Sequence, residues 1–141
     1  MERLSRWAPL MLGILRIMTG LLFFEHGSSK LVGFPPFGPG GSPLQQPPLF
    51  SFLGWSGILE FFGGGLFILG FCTRPVAFLL SGEMAIAYFL RYAFESRGIF
   101  PVTNGGEIPT LYCFIFFYLS FAGAGEWSLD AMLARKSRPA G

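Results

Sequence analysis

A chain of 141 residues is enough for one domain, and 52% of it is hydrophobic against only 13% charged, with a mean hydropathy of +0.55. A soluble domain carries about 25% charge, so polar groups cannot cover this surface and the apolar surplus needs lipid. The net charge of +2 is too small and too dispersed for a nucleic-acid footprint, and two cysteines, Cys72 and Cys113, exclude a disulfide scaffold.

Four apolar segments follow one another, at roughly residues 7–24, 50–71, 75–94 and 108–125. Each is close to the length of about 20 residues that crosses a hydrocarbon core. This predicts an all-α membrane protein, a four-transmembrane-helix bundle over residues 1–130 with a basic tail at 131–141. The first segment begins with Arg3 and Arg6, as a secretory signal would. Arg16 interrupts its apolar run, however, and no A-x-A-like site precedes Glu25-His26, so an uncleaved helix is expected. Residues 32–49 are too rich in Pro and Gly for a helix. Cys72-Thr73-Arg74 is the whole connection between the second and third segments and predicts an antiparallel hairpin there. Pro75 and Pro109 suit first helical turns, where the missing N–H costs nothing. Residues 95–107 carry Phe100-Pro101 and Asn104-Gly105-Gly106, again turn-forming.

Basic residues set the orientation. Arg3, Arg6, Arg74, Arg135, Lys136 and Arg138 fall on one side; Lys30 and Arg97, with Arg91 at a helix end, fall on the other. Both termini are therefore expected in the cytoplasm. Cys72 then lies at the inner end of its helix and Cys113 near the outer end of another, roughly 20 Å apart in depth. Both are read as packing residues without a disulfide between them.

Three segments carry an ionisable residue near the middle: Arg16, Glu60 and Glu83. Counted from the helix ends, all three are expected at a similar depth. A charge there costs about 2.5–3.5 kcal/mol on insertion scales, so Arg16 is expected to pair with Glu60 or Glu83. One arginine cannot neutralise two carboxylates; the second is protonated or has another donor. Gly13, Arg16, Gly20, Phe23 and Gly27 share one face of the first helix, and Gly57, Glu60, Gly64 and Phe67 one face of the second. Glu83, Ala87 and Arg91 are placed on one face of the third. Small residues beside the charges turn these faces toward the bundle interior. Two readings of the trio stay open, a structural ion pair or a proton- or ligand-handling site.

A second polar group is predicted at the outer end: Glu25, His26, Lys30, Arg91, Glu95, Arg97, Asn104 and Glu107. A lone histidine excludes a His-rich metal site, so no metal is expected, and His26 is read as a hydrogen-bonding partner for its helix end. Glu107 complements a helix N-terminus after the Asn104 turn. No nucleophile elbow, phosphate loop or dinucleotide fingerprint is present, and Gly63-Gly64-Gly65 follows no strand.

Taken in order, several stretches resemble the DoxX family of small bacterial membrane proteins. They are Leu15-Arg16-Ile17, Gly20, His26-Gly27-x-x-Lys30, Leu59-Glu60, Gly63-Gly64, Leu69-Gly70, Thr73-Arg74, Met84-Ala85, Phe100-Pro101, Asn104-Gly105-Gly106-Glu107 and Ser128-Leu129-Asp130. The resemblance spans about Arg16 to Asp130; the Pro/Gly-rich stretch after Lys30 matches least. It implies a multi-pass protein of the bacterial inner (cytoplasmic) membrane, an accessory subunit of a respiratory or thiol/sulfur redox complex. No covalently bound cofactor is expected, quinone is the implied ligand, and lipid and other redox subunits are the implied partners. The alternative is a non-catalytic assembly protein held by a buried ion-pair network.

Overall fold

The first long helix, α1, runs Ala8–Val32 in the computed structural model, which describes residues 2–42, 45–94 and 98–137. Three predicted polar positions, Glu95, Arg97 and Arg138, lie outside the described residues. Among the described residues the chain is helical, without a strand. Helix α1 carries Pro9 in its first turn and ends at Gly33, whose left-handed backbone (φ 73°) returns its N–H to Ser29 O. It extends eight residues past the expected end at Phe24, because nothing before Gly33 breaks it.

Helix α2, Phe52–Leu69, is capped by the Ser51 hydroxyl, which accepts from Gly54 N, and stops at Gly70. Helix α3, Thr73–Tyr88, continues as a π-helical turn over Phe89–Ala93. Helix α4, Glu107–Ala122, stops before Gly123 (φ 87°) instead of reaching residue 125. Helix α5, Leu129–Lys136, is capped by Ser128. Among the described residues three helices are long and apolar enough to cross a membrane: Ala8–Val32, Phe52–Leu69 and Thr73–Ala93. The fourth apolar helix has 16 residues, about 24 Å at 1.5 Å per residue, and falls short of the length expected from the sequence.

Two units cluster separately, residues 1–73 with 124–141, and residues 74–123. In the first, α1 and α2 pack through glycines. A Cβ added at Gly27 would lie 2.3 Å from Phe61 N, one at Gly64 2.6 Å from Phe24 N, and one at Gly20 2.9 Å from Ile68 N. The backbones therefore touch, which suits lipid, where close packing and not hydrophobic exclusion joins helices. The predicted faces are the buried ones: Gly13, Arg16, Gly20, Phe23 and Gly27 on α1, with Gly57, Glu60, Gly64 and Phe67 on α2. Met11, Leu15, Met18 and Leu22 form the exposed apolar stripe of α1.

In the second unit the Tyr88 hydroxyl donates to Ile99 O, and Asn104 ties the turn by donating to Gly98 O and accepting from Gly106 N. Ser81 donates to Cys113 O. The π turn adds a residue to the helical repeat, so Arg91 is exposed while Glu83 is buried. The single face predicted for Glu83, Ala87 and Arg91 is broken there.

Candidate functional site

On α2, Ser56 and Glu60 stand one turn apart on the face toward α1, and Gly57 between them has no side chain. The Lys30 stem passes over that gap, its Cβ 3.1 Å from where a Gly57 Cβ would sit. Lys30 Nζ reaches Glu60 Oε1 at 2.6 Å and Ser56 Oγ at 3.0 Å. Ser56 Oγ also donates to Glu60 Oε1 at 3.2 Å. The Glu60 residue is 2% exposed and the Lys30 side chain 17%. Glu60 Oε1 thus takes both donors, while Oε2, equally buried, has no hydrogen-bond partner among the described residues; nor has Ser29 Oγ on α1.

Arg16 occupies a different level. Its guanidinium is 0% exposed and donates from Nη2 to Trp127 O at 3.0 Å. Gly70, just beyond the end of α2, lies beside it; a Cβ there would fall 1.5 Å from Nη1. Along α1, Arg16 and Lys30 are separated by roughly 20 Å. Of the two partners expected for Arg16, Glu60 or Glu83, Glu60 is excluded: Lys30 holds Glu60, and Arg16 donates to Trp127 O in the segment leading into α5. The cause is the extra length of α1, which carries Lys30 back over α2.

That segment is fixed by contacts invisible to helical periodicity. Glu126 N donates to Pro9 O, Asp130 N donates to Gly70 O, and the two Asp130 carboxylate oxygens accept from Cys72 N and Thr73 N at 2.9 and 2.8 Å. Cys72 and Trp127 have left-handed backbones (φ 50° and 56°), unusual for residues with side chains. Both flank Arg16's surroundings, a concentration typical of places where structure is held against local preference. Ser56, Trp127 and Asp130 were absent from the predicted site. Ser56 could have been found from its spacing to Glu60, and Ser128-Leu129-Asp130 from its helix-start pattern.

The remaining predicted residues divide between the units. Glu25 is exposed on α1; His26 Nδ1 lies 3.1 Å from Leu22 O, and its ring packs against Phe37. Arg91 and Glu107 are exposed in the second unit, where Asn104 ties its turn and Glu83 is buried on α3. Both cysteines are free. Among the described residues no group of three or more His, Cys, Asp or Glu is placed to hold a metal ion.

The DoxX family model matches residues 11–93. An uncharacterized protein of Haemophilus influenzae is 39% identical over 137 residues, covering 96% of this chain and all of its own. An uncharacterized membrane protein of Mycobacterium tuberculosis is 25% identical over 136 residues, covering 90% of this chain and 83% of its own. No solved structure matches.

Proposed function

The chain belongs to the DoxX family of integral membrane proteins, and from that premise we propose that it is an accessory subunit of a respiratory or thiol/sulfur redox complex, contacting quinone at Lys30 and Glu60. One observation carries the reading: Glu60 is buried in a spanning helix with one oxygen saturated by Lys30 and Ser56 and the other without a partner among the described residues. Leaving a buried acceptor unmade costs about 1–3 kcal/mol. A hydroxyl donated from a quinol headgroup supplies the missing bond. Lys30 Nζ, which keeps some exposure, donates to a quinone carbonyl. This chain has one histidine and two cysteines, so it offers neither a histidine pair for haem nor four cysteines for an iron–sulfur cluster. In this reading electrons come from a partner, and this chain's own groups bind the headgroup and hand over protons.

Quinone extracted from the protein purified in mild detergent tests the reading. The wild-type protein should retain quinone, and Glu60→Gln should lose most of it while still accumulating, since Lys30 keeps two acceptors. No quinone in the wild-type extract, or equal retention by Glu60→Gln, defeats the quinone contact. The second reading, a purely structural pair, is favoured by the way Lys30, Ser56 and Glu60 staple α1 to α2. It expects loss of the protein itself on substitution.

The proposal includes four spans in the bacterial inner membrane with both termini in the cytoplasm, α4 crossing with its flanking turns. A phosphatase fused after residue 137 should be inactive and a cytoplasm-reporting fluorescent protein bright. An active phosphatase there reverses the topology.

A further inference from the structure

We propose that residues 33–42 and 45–51, in the connection between α1 and α2, are embedded in lipid, their aromatic side chains entering the bilayer at the headgroup boundary. Residues 31–59 contain no Asp, Glu, Lys, Arg or His. A water-facing stretch of that length would carry about seven charged side chains, at the charge of about 25% found in soluble domains. What stands out from the loop instead is Phe34, Phe37, Leu49 and Phe50, the last 90% exposed. Two of these are held in place. Phe34 O accepts from the Ser28 hydroxyl, and the Phe37 ring packs on His26 with centroids 5.0 Å apart. The loop therefore presents apolar side chains beside the last two turns of α1.

An exposed apolar patch marks a protein or a membrane contact, and three observations favour lipid. The patch runs on, without an intervening charge, to Val32 of α1 and to Phe52, Trp55 and Leu59 of α2. All four are exposed on helices long and apolar enough to span. A protein interface has a polar rim, whereas a tryptophan at this level fits the aromatic belt of a bilayer. The backbone is suited as well, because a loop in contact with lipid cannot leave donors unpaired. Pro35, Pro36, Pro39, Pro47 and Pro48 have no N–H. The N–H groups of Gly38, Gly41 and Ser51 bond to Ser42 O, Gly38 O and Pro48 O within the loop. Irregular backbone does not enter the hydrocarbon itself, and the exposed Gln45 and Gln46 mark the part that stays among the headgroups. This placement stands whether or not Lys30 and Glu60 contact quinone.

The wild-type, full-length protein in phosphatidylcholine nanodiscs is photolabelled with an aryl diazirine dissolved in the acyl chains and, separately, with a water-soluble diazirine. Labelled peptides are mapped by mass spectrometry. Peptides carrying Phe34, Phe37 and Phe50 should take the lipid-borne reagent as heavily as residues 11–22 of α1 do. Labelling of those peptides by the water-soluble reagent alone overturns the proposal, and is the result expected of a surface kept for a protein partner. Protection from both reagents overturns it too, since a second copy of the chain then covers the loop. Depth is read with Phe50→Trp in a chain whose Trp7, Trp55 and Trp127 are each replaced by phenylalanine. Its emission should be mostly lost in nanodiscs of lipid brominated near the headgroup and largely kept in aqueous acrylamide. The opposite pattern defeats the proposal, and if that variant does not fold, the labelling of the wild-type protein decides alone.

Discussion

Replacing Gly27 by leucine should abolish accumulation of the protein in the membrane. A Cβ at that position meets Phe61 N at 2.3 Å, Phe61 Cα at 2.7 Å and Glu60 C at 2.8 Å, all backbone atoms that cannot rotate away. The helices must part, and the contacts at Gly20 and Gly64 loosen with them. Overpacking a close interface costs about 1–3 kcal/mol for modest insertions, and an isobutyl group against backbone exceeds a modest one. Parting the helices also draws Lys30 from Glu60, so packing and polar losses add. Gly82 provides the control: its Cβ would meet nothing within 4 Å, and Gly82→Leu should accumulate normally. Immunoblots of membrane fractions check both. Wild-type levels of Gly27→Leu would show that α1 and α2 do not pack as closely as their backbones indicate.

The glycine seam was legible because it is periodic. Gly13, Arg16, Gly20, Phe23 and Gly27 repeat at helical spacing, and burial follows that repeat residue by residue. The same stripe continues to Lys30, but ending the first span at Phe24 hid this and assigned Lys30 to an outer cluster. Hydropathy stops at Glu25-His26, whereas the helix, needing only hydrogen bonds and the absence of a breaker, runs on to Gly33. The pairing of charges was less accessible. The starts of α1 and α2, from which Arg16 and Glu60 were counted, moved by two residues or fewer; the miss lies at the other end of α1, which runs to Val32 and brings Lys30 to Glu60. Least legible was the backbone from Ala124 to Asp130. Its hold on Arg16, Gly70 and Thr73 depends on carbonyl and amide positions that no side-chain pattern encodes.

Lys30→Met should lower accumulation far more than the double replacement Lys30→Met/Glu60→Gln. Removing one member of a buried pair leaves an uncompensated charge and costs about 3–5 kcal/mol, whereas replacing both by neutral groups of similar shape is close to neutral. The two ends are unequal here. Glu60 is 2% exposed and cannot reach water, so losing Lys30 strands its carboxylate with Ser56 as the sole remaining donor. Lys30 is partly exposed, so in Glu60→Gln its ammonium can turn toward the headgroups and the cost is smaller. The expected order of accumulation is wild type, then Glu60→Gln and the double variant together, then Lys30→Met well below. A double variant as depleted as Lys30→Met would mean that the two residues act independently. Scored for quinone as well, the series separates the two roles of the pair: a double variant that accumulates without quinone marks the contact as a ligand site, whereas one that accumulates and keeps quinone leaves the pair only the cohesion of α1 and α2.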